Sequence, residues 1–144
     1  FPILLFDTEG ISRAVLNVVT NAIDAVEEQP HGKVEIITAI DEKNEVVRVV
    51  ITDNGPGIPA GTLPNIFNLF VSTKGAKGTG LGLTVSQKIL REHGGDIFVE
   101  STPSQGTCFT LSFPLMFGEH AAKGNQGTVT DMQLPSDFDA SLTP

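Results

Sequence analysis

The chain has 144 residues, 40% of them hydrophobic, and a formal net charge of −8, the balance of one globular domain with a single core. An acidic surface repels polyphosphate backbones, which argues against nucleic acid as a partner but leaves room for a locally positive nucleotide site. Cys108 is the only cysteine, so the sequence offers no internal disulfide and no cysteine-built metal site, and a cytoplasmic setting is expected.

The chain opens on Phe1-Pro2-Ile3-Leu4-Leu5-Phe6 without an initiator Met. That start reads as a piece of a longer protein, and the sequence shows neither a signal peptide nor an apolar run of membrane-spanning length, leaving the anchoring of the parent open. Residues 3–6 suit a short strand, and Asp7 or Thr8 can cap the helix that follows. Over residues 9–27 the residues Ile11, Ala14, Val15, Val18, Val19, Ala22, Ala25 and Val26 recur at spacings of three and four, the pattern of one broad apolar helix face. Arg13, Asn17, Asn21, Asp24 and Glu28 form a polar stripe beside it. Pro30-His31-Gly32 breaks the helix. Strands are expected at residues 33–40 and 46–52 around the turn Asp41-Glu42-Lys43-Asn44. The second strand is nearly all apolar and should be central.

Residues 53–80 are rich in glycine and proline, with one apolar patch from Ile66 to Val71. So long an irregular segment within a compact domain is usually functional. A helix is expected over residues 80–93, stopped by Gly94-Gly95. Strands at residues 96–101 and 107–114 follow, joined by Pro103-Ser104-Gln105-Gly106. From residue 118 the composition turns polar and aperiodic, which reads as a tail. The order β-α-β-β-lid-α-β-β predicts an α/β (α+β) two-layer sandwich, with a mixed, mostly antiparallel sheet of about five strands and helices on one face.

Three segments carry chemistry. In Asn17-Val18-Val19-Thr20-Asn21-Ala22-Ile23-Asp24-Ala25, Asn17 and Asn21 are four apart and share a helix face. Such a face can offer oxygen ligands to Mg²⁺, and equally it can be a solvated face of an amphipathic helix. In Asp53-Asn54-Gly55-Pro56-Gly57-Ile58-Pro59 an Asp leaves a buried strand. A carboxylate there can accept a hydrogen bond from an adenine amino group, and glycines permit positive φ and close ligand approach. In Thr73-Lys74-Gly75-Ala76-Lys77-Gly78-Thr79-Gly80-Leu81-Gly82-Leu83 a glycine-rich stretch opens a helix, whose first N–H groups can face a phosphate. Lys74 or Lys77 could meet the terminal phosphate. The stretch is not a Walker A loop, because no Gly-Lys-Ser/Thr ends it. Nor does it fit the dinucleotide fingerprint, because Leu83 stands where the third glycine is needed.

Taken in order over about residues 3–115, these segments resemble the GHKL superfamily of gyrase, the heat-shock chaperone Hsp90, histidine kinases and MutL. Asn17 to Ala25 is similar to its N box, and Asp53 to Gly57 to its first glycine box. Gly78-Thr79-Gly80-Leu81-Gly82-Leu83 is similar to its second glycine box. Ile66-Phe67-Asn68-Leu69-Phe70 resembles the kinase F box, with Asn68-Leu69 in place of the usual Glu-Pro. Gly106 to Pro114 resembles the closing strand of the histidine kinase catalytic ATP-binding domain.

The resemblance implies a Bergerat-type fold over residues 1–116, a lid at about residues 58–79, and ATP and Mg²⁺ as cofactors. It implies that Asn21 binds Mg²⁺, with Asn17 helping at the phosphate end and Asp24 nearby. Asp53 would take the adenine amino group, with Gly55, Gly57 and Ile58 beside the ring and Thr107 at its edge. Gly78, Thr79, Gly80, Leu81, Gly82 and Leu83 would line the phosphates, and Lys74 would approach the γ-phosphate.

Hydrolysing members resemble Glu-x-x-x-Asn in the N box, where the Glu activates water. Here that position is Asn17, and an amide cannot act as a general base. The resemblance then implies phosphoryl transfer to a histidine of a separate upstream dimerisation and phosphoacceptor domain, with a response regulator downstream. The domain alone would be a monomer within a homodimeric parent. His31, His93 and His120 all sit in turns, caps or tail, so none suits an acceptor. The alternatives are an anti-sigma-type serine kinase and a non-catalytic nucleotide-sensing module.

Overall fold

The computed structural model describes residues 7–68 and 82–115. The expected strand at residues 3–6, the lid residues from 69 onward and the tail lie outside the described residues. Helix α1 spans Thr8–Val26, and Asp7 is its cap, its carboxylate accepting from the Gly10 N–H at 3.0 Å. Ile11, Ala14, Val18 and Ala22 are the buried stripe, a subset of the apolar face read from the periodicity. The chain leaves α1 through a turn in which the Gln29 N–H donates to the Val26 carbonyl.

Strands β1 (Val34–Asp41) and β2 (Val46–Asp53) form an antiparallel hairpin. Asp41 shapes its turn by accepting from both the backbone and the side-chain amide of Asn44, at 3.0 and 2.8 Å. Those bonds and the Arg48 guanidinium, 3.0 Å away, hold its carboxyl below the usual range. A 3-10 helix at Leu63–Asn65 precedes α2 (Gly82–Glu92), and β3 (Asp96–Thr102) and β4 (Gly106–Pro114) close the sheet. The strand order is β1-β2-β4-β3, with every pairing antiparallel. The expected apolar strand, β2, is central. Among the described residues the sheet therefore has four strands and no parallel pair.

The alternation of side chains along β2 and β4 sends Val47, Val49, Ile51, Phe109, Leu111 and Phe113 to one face. There they form a single core with the buried stripe of α1 and with Leu90 of α2, so both helices cover the same face. Tight α2–β3 passage depends on Gly94, with φ +78, and on Gly95, where any Cβ would collide with the Ser112 carbonyl oxygen. The Gly95 N–H donates back to the Leu90 carbonyl at 2.8 Å, closing the helix.

Leu90 is fully buried between helix and sheet. Leu90→Ala should lower unfolding free energy by about 2–5 kcal/mol in urea titrations, from lost transfer energy and the cavity left behind. A loss under about 1 kcal/mol would contradict this packing.

Candidate functional site

Asp53 is the last residue of β2 and is only 5% exposed. It pairs across the sheet with Thr107 of β4. The Gly55 N–H donates to Asp53 Oδ1 at 2.9 Å, making the short turn typical of Asp two residues before its donor. Burial pushes the Asp53 carboxyl above its ordinary 3.8, and backbone hydrogen bonds from Gly55 and Thr107 oppose that shift. The strand thus ends in an inward-facing carboxyl backed by main-chain donors.

The glycines around it answer first to the protein. A Cβ at Gly55 would lie 2.7 Å from the Ala25 carbonyl oxygen and 2.9 Å from Asp53 Oδ1. Gly57 has φ +73, and a Cβ there would collide with the Thr102 carbonyl oxygen. Gly106 has φ +114, and a Cβ there would run into the Asp53 carbonyl oxygen. These bare positions let the turn pass between the end of α1 and the β3–β4 hairpin. Gly82 differs: among the described residues a Cβ there would meet only Asn17, at 3.9 Å, an ordinary contact.

Ser101, which the sequence did not single out, ties this region together. The Ile58 N–H donates to Ser101 Oγ at 2.8 Å, Ser101 Oγ donates to the Gly106 carbonyl at 3.0 Å, and Thr107 Oγ1 lies 2.8 Å away. With its single proton on Gly106, Ser101 accepts from Ile58 and from the Thr107 hydroxyl. The oxygen of Thr107, 6% exposed, keeps its own lone pairs beside Asp53.

On the other side of the site, α1 and α2 meet through the predicted N box and second glycine box. Asn17 Nδ2 donates to the Gly82 carbonyl and to Ser86 Oγ, each at 3.3 Å. Asn21 is half-buried and Asp24 exposed on the same helix. Gly82 and Leu83 begin α2, so the first N–H groups of that helix are free of intrahelical partners. Thr84 Oγ1 donates to the Phe67 carbonyl at 2.9 Å, joining the F-box segment to α2, and Ile66 enters the core. Lys74, Lys77, Gly78, Thr79, Gly80 and Leu81 lie outside the described residues. An open hollow on α2, lined by Thr84, Gln87, Lys88, Arg91 and Glu92, shares none of the predicted site residues.

Among the described residues no cluster of three or more His, Cys, Asp or Glu could hold a metal ion. A metal here would rest on amide oxygens and on a ligand's own oxygens. Asn17 suits that, because its amide nitrogen faces α2 and its Oδ1 has no donor among the described residues.

A family profile described as histidine kinase-, DNA gyrase B-, and HSP90-like ATPase matches residues 6–116. The chain belongs to this family. The ATPase-family chain is 40% identical over 123 residues to the sensory histidine kinase/phosphatase NtrB of Vibrio alginolyticus, covering 80% of this chain and 35% of that protein. The mycobacterial sensor histidine kinase MprB superposes with a TM-score of 0.67 at 30% identity, covering 77% of this chain and 76% of that one. Full-length ShkA, solved in complex with AMPPNP, superposes with a TM-score of 0.71 at 28% identity, over 82% of this chain and 24% of that one. The chain thus spans about a third of NtrB. No helix among the described residues is long and apolar enough to cross a membrane.

The raised Asp53 carboxyl has a measurable consequence. Between 3.8 and its higher folded value the native chain binds more protons than the unfolded one, so stability falls as pH rises through that window. Asp53→Asn carries no such proton. The stability of wild type relative to Asp53→Asn should therefore decline as pH rises from 3.8 toward neutrality, read by urea titrations across pH. A pH-independent difference would contradict it.

Proposed function

We propose that the chain is the catalytic ATP-binding domain of a sensor histidine kinase, acting on the cytoplasmic side of a two-component system. It binds Mg·ATP and donates the γ-phosphate to a histidine on a separate dimerisation and phosphoacceptor domain of the parent chain, from which a response regulator draws it. Residues 1–116 form this unit, with a lid at about residues 58–79 and a tail at residues 117–144. The domain alone is a monomer, and its parent is a homodimer.

The observation that carries this reading is the meeting of sequence-distant motifs. Asn17 reaches Gly82 at 3.3 Å, Gly55 passes against the end of α1, and Asp53 pairs with Thr107. The names of NtrB and MprB support the histidine kinase reading, and AMPPNP in ShkA supports the nucleotide.

In this mechanism Asp53 accepts the adenine amino group, and Thr107 offers its oxygen to the ring edge. Gly55, Gly57 and Ile58 form the adenine wall. Asn21 and Asn17 present amide oxygens toward the phosphate end, with Asp24 at the helix exit. Gly78, Thr79, Gly80, Leu81, Gly82 and Leu83 offer backbone N–H groups to phosphate oxygens, and Lys74 meets the γ-phosphate as a point charge. Bound Mg²⁺ supplies charge neutralisation across the phosphates. The histidine Nε2 of the acceptor domain attacks the γ-phosphorus, the bond to the β–γ bridging oxygen breaks, ADP departs, and the imidazole loses its one N–H proton, on Nδ1, to solvent. Asn17 holds the position from which a Glu would activate water, so the chain binds ATP and hydrolyses it very slowly.

Asp53→Ala removes a hydrogen bond to a charged group, a loss of about 1.5–3 kcal/mol, so ATP affinity should fall roughly 10- to 150-fold by calorimetry. Unchanged affinity would refute the adenine assignment. Asn21→Ala should abolish the Mg²⁺-dependent part of nucleotide binding while sparing ADP binding without metal, and equal Mg²⁺ dependence in both proteins would count against it. Phosphotransfer to the parent's upstream domain should give an acid-labile phosphoprotein, whereas an acid-stable product would mark a serine kinase.

A further inference from the structure

Ser86 has no part in the roles assigned above, yet among the described residues it is the one polar side chain with 0% exposure. Its Oγ lies 2.9 Å from the Gly82 carbonyl, 3.1 Å from the Ala14 carbonyl of α1, and 3.3 Å from Asn17 Nδ2. A hydroxyl has one proton and two lone pairs. Whichever carbonyl takes the proton, Ser86 can only accept from Asn17.

The Gly82 carbonyl is also acceptor-only, so the nitrogen of the Asn17 amide must face it at 3.3 Å. The Gly82 carbonyl oxygen and Ser86 Oγ, themselves 2.9 Å apart, thus share the Asn17 amide nitrogen, which fixes which end of the amide faces α2. The amide oxygen is left turned away from α2, and none of the described residues donates to it. A flipped amide would set oxygen against the Gly82 carbonyl and against a serine whose proton is already engaged. Through the Ala14 carbonyl, three residues before Asn17, the same hydroxyl ties α1 to α2.

We propose that Ser86 is a positioning residue for the phosphate end of the site: it locks the Asn17 amide so that Oδ1 faces the bound metal–phosphate group, and it sets the separation of α1 from the start of α2. The inference rests on the role given to Asn17 under the proposed function. Ser86 touches neither nucleotide nor metal. Its effect reaches them through Asn17, so it should appear in metal-dependent binding and not in adenine binding.

The test is a double-mutant cycle on the full 144-residue chain, using calorimetry with a non-hydrolysable ATP analogue plus Mg²⁺, and with ADP plus a chelator. Ser86→Ala should weaken the Mg²⁺-dependent affinity roughly three- to tenfold, the equivalent of about one neutral hydrogen bond. It should leave metal-free ADP affinity within about twofold, and in an Asn17→Ala background it should add less than about twofold, as expected of coupled residues. Equal losses with and without metal, or additive losses in the double variant, would overturn the proposal. If Asn17→Ala itself leaves Mg²⁺-dependent binding intact, the role of Asn17 and this inference fall together. If Asn17→Ala weakens binding and Ser86→Ala does not, only this inference falls.

A second measurement needs no variant. In the wild-type chain the Asn17 side-chain N–H that faces Gly82 and Ser86 should exchange with solvent at least about tenfold more slowly than that of a free side-chain amide, because it is shared between two acceptors beside a buried serine. Exchange at the free rate would overturn the proposal even if Ser86→Ala fails to fold.

Discussion

At the end of β2 the chain buries a carboxyl and surrounds it with its own backbone. Asp53 takes the Gly55 N–H at 2.9 Å and pairs across the sheet with Thr107. Burying an acid this way costs free energy, as its upward shift records. The backbone around it is equally close: Gly106 must be bare so that β4 can approach the Asp53 carbonyl, and Gly55 must be bare to pass the last turn of α1. A site that recognises an amino group by a buried acceptor needs that acceptor held in place before the ligand arrives, and this corner of the sheet does so with main-chain atoms and glycine.

The meeting of α1 and α2 is built on a different principle. There the chain brings together two helices rather than a strand end and a turn. Asn17 of α1 and the first residue of α2 are 65 positions apart, yet the side-chain amide reaches the Gly82 carbonyl at 3.3 Å. Among the described residues Gly82 has room for a Cβ against Asn17. At the end of β2, by contrast, the glycines are demanded by the fold. Thr84 ties the Phe67 carbonyl to α2 beside the Asn17–Gly82 contact.

Much of this was legible in the sequence. The stripe Ile11, Ala14, Val18, Ala22 and the alternation of β2 and β4 follow from apolar periodicity, because one core dominates and each element shows it one face. Asp53 stood out because an acid leaving an apolar strand needs partners. What stayed hidden is long-range and small. Ser86 bonds to Ala14, 72 positions away, and Ser101 to Ile58, 43 away. A serine adds no period to a pattern, and its partners are backbone atoms that any residue type supplies. The orientation of the Asn17 amide is likewise set by what faces it across α2. Gly57 was read as ligand clearance, and the structure adds a fold-borne cause in the Thr102 carbonyl. The mixed five-strand expectation met an all-antiparallel sheet of four strands among the described residues, with the remaining expected strand lying outside them.

The central claim is that a buried acceptor at Asp53 selects adenine. An adenine ring offers a donor at its amino group where guanine presents a carbonyl oxygen, and two acceptors facing each other in a buried site are strongly disfavoured. The decisive measurement is a pair of calorimetric titrations of the wild-type chain with Mg·ATP and with Mg·GTP. The account predicts saturable ATP binding, with GTP at least about tenfold weaker. Absence of saturation by ATP at millimolar concentration, or equal affinity for the two nucleotides, would contradict it.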